Sequence, residues 1–310
     1  MAKIIKGRVD ILLVTCSSKI LLERSINSIK SQLFKNWRLL IVNDNINDIE
    51  VSRYLEDLNS ANENIEVFTN NFSIGLTKSL KNLYPYIESE YIARIDSGDT
   101  WDKEKLYTQV NYLNENLNIG LIGSQVRFIL VNNKIIRQSS FPLSYEEIKA
   151  NCCMKIGLFC HSSILFRYSN NIFYRKLYYY SQDLDLYLQY ISKNIEIINY
   201  HKPLCSILFS SNSISVRKKP LQLKCISRAI KNYNLRKNSL SEDNSPIKVN
   251  LIEKFSWKFA RFFYLKYIVF SANRKLLARF YLLITIIIYP PLLSLYKPRL
   301  INKLKPTQCL

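Results

Sequence analysis

The stretch VDILLVTCSSKILLERSINSIK, residues 9–30, decides the fold, because an apolar strand-like run is followed directly by a helical pattern of apolar residues. This stretch predicts a strand at 9–14 and a helix at 20–33, and the same alternation continues to residue 114, with strands at 37–42, 65–68 and 91–95 and helices at 49–58, 77–86 and 103–114. Strands that alternate with helices favour the α/β class, in which a mostly parallel sheet carries helices on both faces. Ligands of such sheets bind where the strands end.

Strand-like runs dominate the sequence after residue 120. Strands are predicted at 121–131, 135–139, 162–166 and 195–200, around helices at 145–152 and 182–192. We interpret this region as an insertion that completes one mixed sheet. Residues 1–216 are therefore expected to form a single domain.

The charge of the chain is divided unevenly. The 310 residues carry 44 Lys and Arg against 24 Asp and Glu, a net charge of +20. Residues 1–216 hold 24 basic and 21 acidic side chains, whereas residues 217–310 hold 20 basic and 3 acidic ones. A hydrophobic content of 48% excludes a disordered chain. The charge division predicts a nearly neutral catalytic or binding part followed by a part that meets an anionic partner.

Residues 217–310 are predicted to form a helical extension that is basic and aromatic. Basic and aromatic side chains recur on separate faces of one predicted helix: Lys254, Lys258, Arg261, Phe255, Phe259 and Phe262. This pattern suits a helix that lies on an anionic membrane surface. The uncharged run 280–296 is short for a bilayer span and contains Pro290 and Pro291, so we expect it to dip into the membrane without crossing it. The alternative is a helical hairpin packed on the first domain or on a partner subunit.

Carboxylates, and not glycine-rich loops, follow the predicted strands. The six glycines form neither GxGxxG nor GxxxxGK[ST], which excludes the usual dinucleotide and P-loop phosphate sites. Asp44 follows the strand 37–42 and could accept a hydrogen bond from a base or ribose, or cap the following helix. Asp96 and Asp99 flank Gly98 in a turn and could hold Mg²⁺ or Mn²⁺.

The cysteines and the first residues of the sequence bear on its compartment. The seven cysteines are an odd number and show no CxxC spacing, so we expect reduced thiols and neither a disulfide framework nor a zinc ribbon. The first apolar stretch is too short for a secretory signal, and Arg8 and Asp10 interrupt its approach. Both observations favour a cytoplasmic protein.

Six segments, in this order, carry a resemblance to one enzyme family: VDILLVTCSS, WRLLIVNDNIND, NFSIGLTKSL, EYIARIDSGDTWD, FCHSSILFR and YYYSQDLDLYLQY. Together they resemble the family 2 glycosyltransferases of the GT-A fold, in particular bacterial enzymes of lipopolysaccharide, O-antigen and capsule assembly. The resemblance covers residues 8–205 and rests on the order and spacing of the six segments, since none of them is specific alone.

The resemblance implies a donor site. Thr15 and Asp44 match positions that line the pocket for uridine or another nucleoside, and Lys78 lies near where such enzymes place a basic residue close to the nucleotide. His161 and Arg167 match positions found near the donor or the acceptor. A nucleotide sugar, with a UDP-sugar favoured, is the donor that these positions imply.

The resemblance also implies a metal site and a catalytic base. Asp96 begins the DxD-type element, where ribose, diphosphate and Mg²⁺ or Mn²⁺ meet, and Asp183 matches the catalytic base. The alternative is that Asp183 only caps its helix after Ser181. Three residues depart from the common pattern of the family, which has Asp, Asp and Glu there: Asn43, Gly98 and Gln182. The metal ligands therefore stay open between Asp96 alone, Asp96 with Asp99, and a shell completed by water.

The function implied is an inverting glycosyltransferase that transfers a sugar to a saccharide or to a lipid-linked saccharide. One base and no covalent step give inversion at the anomeric carbon. The basic extension is expected to attach the enzyme peripherally to the inner face of the cytoplasmic membrane. One alternative is a nucleotidyltransferase, which normally has a basic, glycine-containing loop near its N-terminus. The other is a nucleic-acid-binding protein that uses residues 217–310, which the uncharged run disfavours, so nucleic acid is not expected as a partner.

Overall fold

The computed structural model of the protein describes residues 4–154, 157–211, 213–237, 242–271 and 274–293. The chain divides into two compact units, of which the first comprises Met1–Ile148 and Phe159–Leu208 and the second Lys149–Leu158 and Phe209–Leu310. The boundary expected after residue 216 falls inside the second unit. One reason is that the Trp257 indole N–H donates to the backbone carbonyl of Val216 at 2.9 Å.

Four parallel strands form one half of the sheet in the first unit. They are β1 (Ile5–Thr15), β2 (Trp37–Asn43), β3 (Ile65–Thr69) and β4 (Ser89–Asp96), and they lie in the order β3-β2-β1-β4. Within β1, Ile11, Leu12 and Leu13 are all fully buried. Because successive residues of a strand point to opposite faces, both faces of this half are covered, as expected for parallel strands.

The other half of the sheet is mixed. It contains β5 (Thr100–Trp101), β6 (Ile119–Ile129), β7 (Ile135–Gln138), β8 (Leu165–Arg167) and β9 (Glu196–Leu208). β8 joins the halves by pairing antiparallel with both β4 and β6, while β6 and β9 are parallel. Among the described residues, all nine strands belong to one sheet, which confirms the mixed, mostly parallel α/β sheet predicted from the sequence.

Six helices accompany these strands: α1 (Lys19–Lys30), α2 (Ile49–Ala61), α3 (Leu76–Leu83), α4 (Lys105–Glu115), α5 (Tyr145–Asn151) and α6 (Gln182–Ser192). The apolar residues of α1, α2 and α4 form one core with the sheet face that carries Ile11 and Leu13. The segment predicted as a strand at 162–166 begins instead with a 3-10 turn, His161–Ser163. The Ser163 hydroxyl donates to the Cys160 carbonyl at 2.8 Å, a local bond that competes with strand pairing.

The second unit has a small aromatic core of its own. Its helices are α7 (Ile214–Arg217), α8 (Lys219–Lys237), α9 (Leu251–Phe270) and α10 (Lys275–Ile288). Leu223, Trp257, Ala260, Tyr289 and Leu292 are buried together in it. This unit is helical, basic and aromatic, as the sequence predicts.

The uncharged run 280–296 is only partly described. Its described part forms most of α10 and the 3-10 turn Pro290–Leu292, whereas residues 294–296 lie outside the described residues. Of the helices in the described part of the chain, none has the combined length and apolar content that crossing a bilayer requires. The six described cysteines are free thiols.

Asp10 holds the amino ends of the central strands together, and its removal should destabilise the fold. Its fully buried carboxylate accepts hydrogen bonds from Nε and Nη2 of Arg38, both at 3.0 Å, and from the backbone N–H of Glu88 at 2.8 Å. Removing one partner of a buried ion pair costs about 3–5 kcal/mol. We expect Asp10→Ala to lower the free energy of unfolding in urea by that amount.

The matched control is Glu66→Ala, which removes another partner of Arg38, 3.5 Å away and 44% exposed. An exposed pair of this kind contributes less than about 1 kcal/mol. Equal losses for the two variants would contradict the role given to Asp10.

Candidate active site

The carboxyl ends of β1, β2 and β4 meet at one edge of the sheet. Thr15 at the end of β1 is paired with Asn43 at the end of β2, and Val14 is paired with Asp96 at the end of β4. Asp44 follows Asn43, and its N–H donates to the Thr15 carbonyl at 2.9 Å. Thr15, Asp44 and Asp96, which come from three distant parts of the sequence, are thus brought together.

The Asp44 carboxylate organises the loop between β3 and α3. Its two oxygens accept hydrogen bonds from the side chains of Asn70 and Ser73, at 2.8 and 2.9 Å, and from the N–H groups of Ile74 and Gly75, at 2.9 and 3.0 Å. The Ser79 hydroxyl is a fifth, longer donor to Oδ1 at 3.4 Å, so the four acceptor positions of the carboxylate are all used, and only 4% of Asp44 is exposed. A ligand that bonds Asp44 directly must displace one of these donors.

Lys78 is exposed in the first turn of α3, next to the loop that Asp44 holds. The preceding residue, Thr77, contacts the first residue of α6, since its hydroxyl lies 3.4 Å from Oε1 of Gln182. This contact brings the first turn of α3 close to the first turn of α6.

Asp96 is the more accessible of the two carboxylates after β4. Its side chain is 49% exposed, and Oδ1 accepts a hydrogen bond from Nη2 of the fully buried Arg94 at 2.5 Å. Desolvation favours the protonated form, but the Arg94 guanidinium outweighs it and holds the pKa of Asp96 below its usual range. Asp96 is therefore an anion with Oδ1 bound by Arg94 and with Oδ2 3.4 Å from the Ser162 hydroxyl.

Asp99 is held inside the protein. It is 6% exposed, with Oδ1 accepting from the Leu208 N–H at 2.9 Å and Oδ2 bonded to the Ser162 hydroxyl at 2.6 Å. Burial, and then the charge of Asp96, raise its pKa to about 7. Gly98 permits the turn, because its φ of +98° and the Leu208 side chain 3.1 Å from an added Cβ both disfavour a larger residue.

Asp183 lies in the first turn of α6 and is partly buried. Burial raises the pKa of its carboxyl, the Leu184 N–H that donates to Oδ1 at 2.8 Å opposes the rise, and the charge of Asp96 adds to it. The side chains of Leu186 and Leu188, both fully buried, anchor the helix. A carboxylate with a raised proton affinity close to a second carboxylate is suited to take a proton.

His161 is bonded on both sides within the protein. Nδ1 lies 2.9 Å from the Tyr187 hydroxyl and Nε2 lies 2.8 Å from the Tyr174 hydroxyl. Burial, assisted by the charge of Arg94, lowers the pKa of His161 to about 3, so the ring is neutral. Both ring nitrogens of His161 therefore have hydrogen-bond partners within the protein. These are the two atoms with which His161 could have bound a nucleotide-sugar donor.

Arg167 lies near the amino end of β4, away from the end at which Asp96 lies, so the structure does not bring it to the other predicted site residues. It is paired with Tyr91, near the amino end of β4, because β8 runs antiparallel to β4. Its guanidinium donates to the carbonyls of Ile119 at 3.1 Å and Leu113 at 2.6 Å and pairs with Glu90 at 3.3 Å. These bonds give Arg167 a structural role.

The glycosyl transferase family 2 model matches residues 10–174, more than half of the chain. The chain belongs to this family. Among its relatives, the Escherichia coli UDP-Glc:alpha-D-GlcNAc-diphosphoundecaprenol beta-1,3-glucosyltransferase WfgD is 27% identical over 213 residues, which cover 68% of this chain and 80% of WfgD. The O-antigen biosynthesis glycosyltransferase WbnJ of E. coli is 24% identical over 225 residues, covering 70% and 85%.

The fold of this family 2 glycosyltransferase has solved counterparts. Residues 1–349 of TarS from S. aureus, in complex with UDP-GlcNAc, superpose with a TM-score of 0.53 at 16% identity, covering 94% of this chain and 92% of that one. At this identity the likeness bears on the fold alone. The GT-A fold predicted from the sequence is confirmed.

At the carboxyl ends of the strands in this glycosyltransferase, Asp96 is the residue that fits a divalent cation. Within the described residues, no three His, Cys, Asp or Glu side chains are grouped closely enough to hold a metal ion. Asp96 offers one oxygen beside the one that Arg94 binds, and Mg²⁺ is commonly held by one or two carboxylates together with substrate phosphates and water. Asp99, the other expected ligand, could bind the ion by giving up its bond to Ser162 or to Leu208.

Sequence reasoning missed Arg94, Ser162 and the two tyrosines bonded to His161. Arg94 carries a signal in the sequence, because a charged residue inside the apolar strand 91–95 and two positions before Asp96 must share the face of Asp96. The Ser162 Oγ accepts the Asp96 N–H at 2.9 Å. No period or spacing in the sequence indicates that bond.

The raised pKa of Asp99 predicts a pH dependence of stability. Folding raises this pKa from 3.8 to about 7, so the folded chain holds a proton that the unfolded chain has already lost. The stability from that proton is complete below the unfolded pKa and is lost as the pH rises through about 7. Between about pH 4 and pH 8 we expect the free energy of unfolding to fall by more than about 1 kcal/mol relative to Asp99→Asn.

Asp99→Asn is the suitable reference because its amide does not titrate. Its oxygen can accept from the Leu208 N–H, and its NH₂ group can donate to Ser162. Urea unfolding of both proteins at several pH values measures the difference. Parallel stability curves for the two proteins would show that Asp99 does not titrate in this range.

Proposed function

We propose that this chain is an inverting glycosyltransferase that moves a sugar from a nucleotide-sugar donor to a saccharide or lipid-linked saccharide acceptor in the synthesis of a bacterial surface polysaccharide. The observation that supports the proposal is the position of Asp183, a partly buried carboxylate with a raised pKa, in the first turn of α6, which the Thr77–Gln182 contact at 3.4 Å brings to the first turn of α3 beside the loop that Asp44 holds. The relatives WfgD and WbnJ, whose names state a diphosphoundecaprenol-linked acceptor and O-antigen biosynthesis, support the pathway.

The proposed chemistry is a single displacement at the anomeric carbon. The acceptor oxygen forms the new bond to that carbon while its proton passes to the Asp183 carboxylate. The bond from the anomeric carbon to the diphosphate breaks, and its electron pair leaves with the nucleoside diphosphate. Because attack and departure occur on opposite sides without a covalent enzyme intermediate, the anomeric configuration is inverted.

The donor is proposed to lie along the edge formed by Thr15, Asp44 and Asp96. Asp44 shapes this site by fixing the loop 70–75, and Lys78 offers a positive charge beside the same loop. A UDP-sugar is favoured, in line with the donor in the name of WfgD and the UDP-GlcNAc bound to TarS.

Mg²⁺ or Mn²⁺ is proposed to bind Asp96, with the diphosphate of the donor and water completing its ligands. When bound, such an ion stabilises the negative charge that develops on the departing diphosphate. Arg94 keeps Asp96 ionised for this purpose. Asp99 is proposed to position Asp96 through Ser162 and not to touch the ion.

Residues 1–216 are proposed to be the catalytic part and residues 217–310 the part that attaches to the cytoplasmic face of the membrane. Helix α9 carries five exposed apolar side chains: Ile252, Phe255, Phe259, Phe262 and Val269. The only acidic residue of α9, Glu253, is paired with Lys224 at 2.7 Å, which leaves the helix strongly basic.

Exposed apolar side chains on a strongly basic helix match an anionic lipid surface. Each Lys or Arg near such a surface contributes about 1 kcal/mol to attachment. A lipid-linked acceptor would thereby be concentrated where the enzyme is held.

Transfer assays with a panel of nucleotide sugars, read as release of free nucleoside diphosphate in the presence of acceptor glycans, test the function. We expect Asp183→Asn to lower kcat by about 10²–10⁴-fold, because the acceptor loses its base. Nucleotide affinity, measured by calorimetry, should stay within about threefold. The control is Asp57→Asn, on an exposed part of α2, which should transfer like the native enzyme.

Two outcomes would count against this assignment in different ways. Normal transfer by Asp183→Asn would mean that another group accepts the proton. Failure of the native enzyme to consume any donor of the panel with any acceptor would remove the proposed function itself.

Co-sedimentation with vesicles tests the membrane proposal. We expect the full chain to bind vesicles of anionic phospholipid and to bind neutral ones weakly, with binding that decreases as salt increases. Replacing Phe255, Phe259 and Phe262 with Ser should reduce the bound fraction about tenfold or more, because the apolar contact is lost.

The matched control replaces Leu117 and Val131, which are 79% and 75% exposed in the first unit, with Ser. This variant should bind vesicles like the native chain. Equal loss of binding in both variants, or tight binding to an oligonucleotide without binding to lipid, would contradict the attachment proposal.

A further inference from the structure

Two consecutive residues, His161 and Ser162, contact two parts of the candidate active site. One part is the turn after β4, which carries Asp96 and Asp99, and the other is α6, which carries Asp183. Ser162 serves the strand side: its hydroxyl oxygen accepts the Asp96 N–H at 2.9 Å and bonds Oδ2 of Asp99 at 2.6 Å. The same residue accepts the Trp101 indole N–H at its carbonyl, at 2.8 Å. The turn His161–Ser163 is therefore fixed to the segment that follows β4.

His161 serves the side of the proposed base. Its ring bonds the hydroxyls of Tyr174, which precedes α6, and of Tyr187, which lies within α6. Tyr187 follows Asp183 by four residues, a spacing that puts both side chains on one face of the helix. The imidazole is thus tied to the helical face that presents Asp183.

The chemistry of the imidazole suits a bridge between two hydroxyls. A neutral imidazole has one N–H donor and one lone pair, so it donates to one tyrosine and accepts from the other. Burial and the charge of Arg94 keep the ring neutral. Tyr174 and Tyr187 are themselves buried, at 0% and 2% exposure, so their hydroxyls depend on a partner inside the protein.

We propose that His161 is a positioning residue that sets the placement of Asp183 relative to Asp96 by bridging the Tyr174 and Tyr187 hydroxyls, while the adjacent Ser162 holds the Asp96 side. The inference rests on the proposed function, in which Asp183 is the base. It assigns His161 no bond to the nucleotide and no proton from the substrate.

Two substitutions separate positioning from ligand binding. His161→Phe keeps a ring of similar size but removes both hydrogen bonds, whereas His161→Gln keeps one donor and one acceptor. A displacement of about 1 Å at a reacting group can cost about 10²-fold in rate. We expect His161→Phe to lower kcat about 100-fold with nucleotide affinity within about threefold, and His161→Gln to recover most of the lost kcat.

The tyrosine pair offers a second route to the same result. The double variant Tyr174→Phe/Tyr187→Phe should lower kcat as much as His161→Phe does, because it removes the same two hydrogen bonds. It also replaces His161→Phe if that variant unfolds at assay temperature. Weakened nucleotide binding with unchanged kcat in His161→Phe would overturn the proposal and make His161 a donor ligand.

A measurement without substrate distinguishes this inference from the proposed function. Amide hydrogen exchange of the peptide 174–187 reports how firmly the start of α6 is held. We expect faster exchange in His161→Phe than in the native chain, and native-like exchange in His161→Gln. Unchanged exchange in His161→Phe would refute the bridge even if the native enzyme transfers sugar, and faster exchange would support it even if no donor is consumed.

Discussion

The parallel pairing of β1 with β2 and β4 is the constraint on which the rest of the site depends. It brings the end of each strand to one edge, so that Thr15, Asp44 and Asp96 meet although 81 positions separate the first from the last. Each of these strands is buried on both faces and cannot shift its register without moving apolar side chains out of the core. The positions of these side chains are therefore as fixed as the core itself.

A buried charge accompanies this arrangement. Arg94 is fully buried, and within the described residues its Nε and Nη1 atoms have no hydrogen-bond partner. A buried donor without a partner costs about 1–3 kcal/mol, so the guanidinium is not explained by stability alone. It holds the pKa of Asp96 low, and it adds to the effect of burial in keeping His161 neutral. Natural proteins carry such local conflicts mainly at functional sites.

The sequence predicts where carboxylates occur along the fold better than it predicts what they contact. Periodicity locates the strand ends, and with them Asp44 and Asp96, because the side-chain period of a strand and the direction of parallel strands are general rules. That all four acceptor positions of Asp44 are used by the loop 70–75 follows from the path of that loop, which no residue pattern specifies. Family resemblance likewise identifies Asp183 as the candidate base, but it does not indicate that Tyr187 of the same helix is bonded to His161.

Arg167 shows that a residue matched to a family pattern need not lie beside the other matched residues in space. A position in a family pattern fixes distance along the chain, whereas distance in space depends on strand direction. Because β8 is antiparallel to β4, six residues separate His161, beside the active edge, from Arg167, which is paired near the opposite end of β4. The reversal turns a short separation in sequence into one that spans the sheet. The assignment of a residue to the site by family resemblance is therefore most reliable at the carboxyl ends of parallel strands. It is least reliable along a strand that runs antiparallel to them.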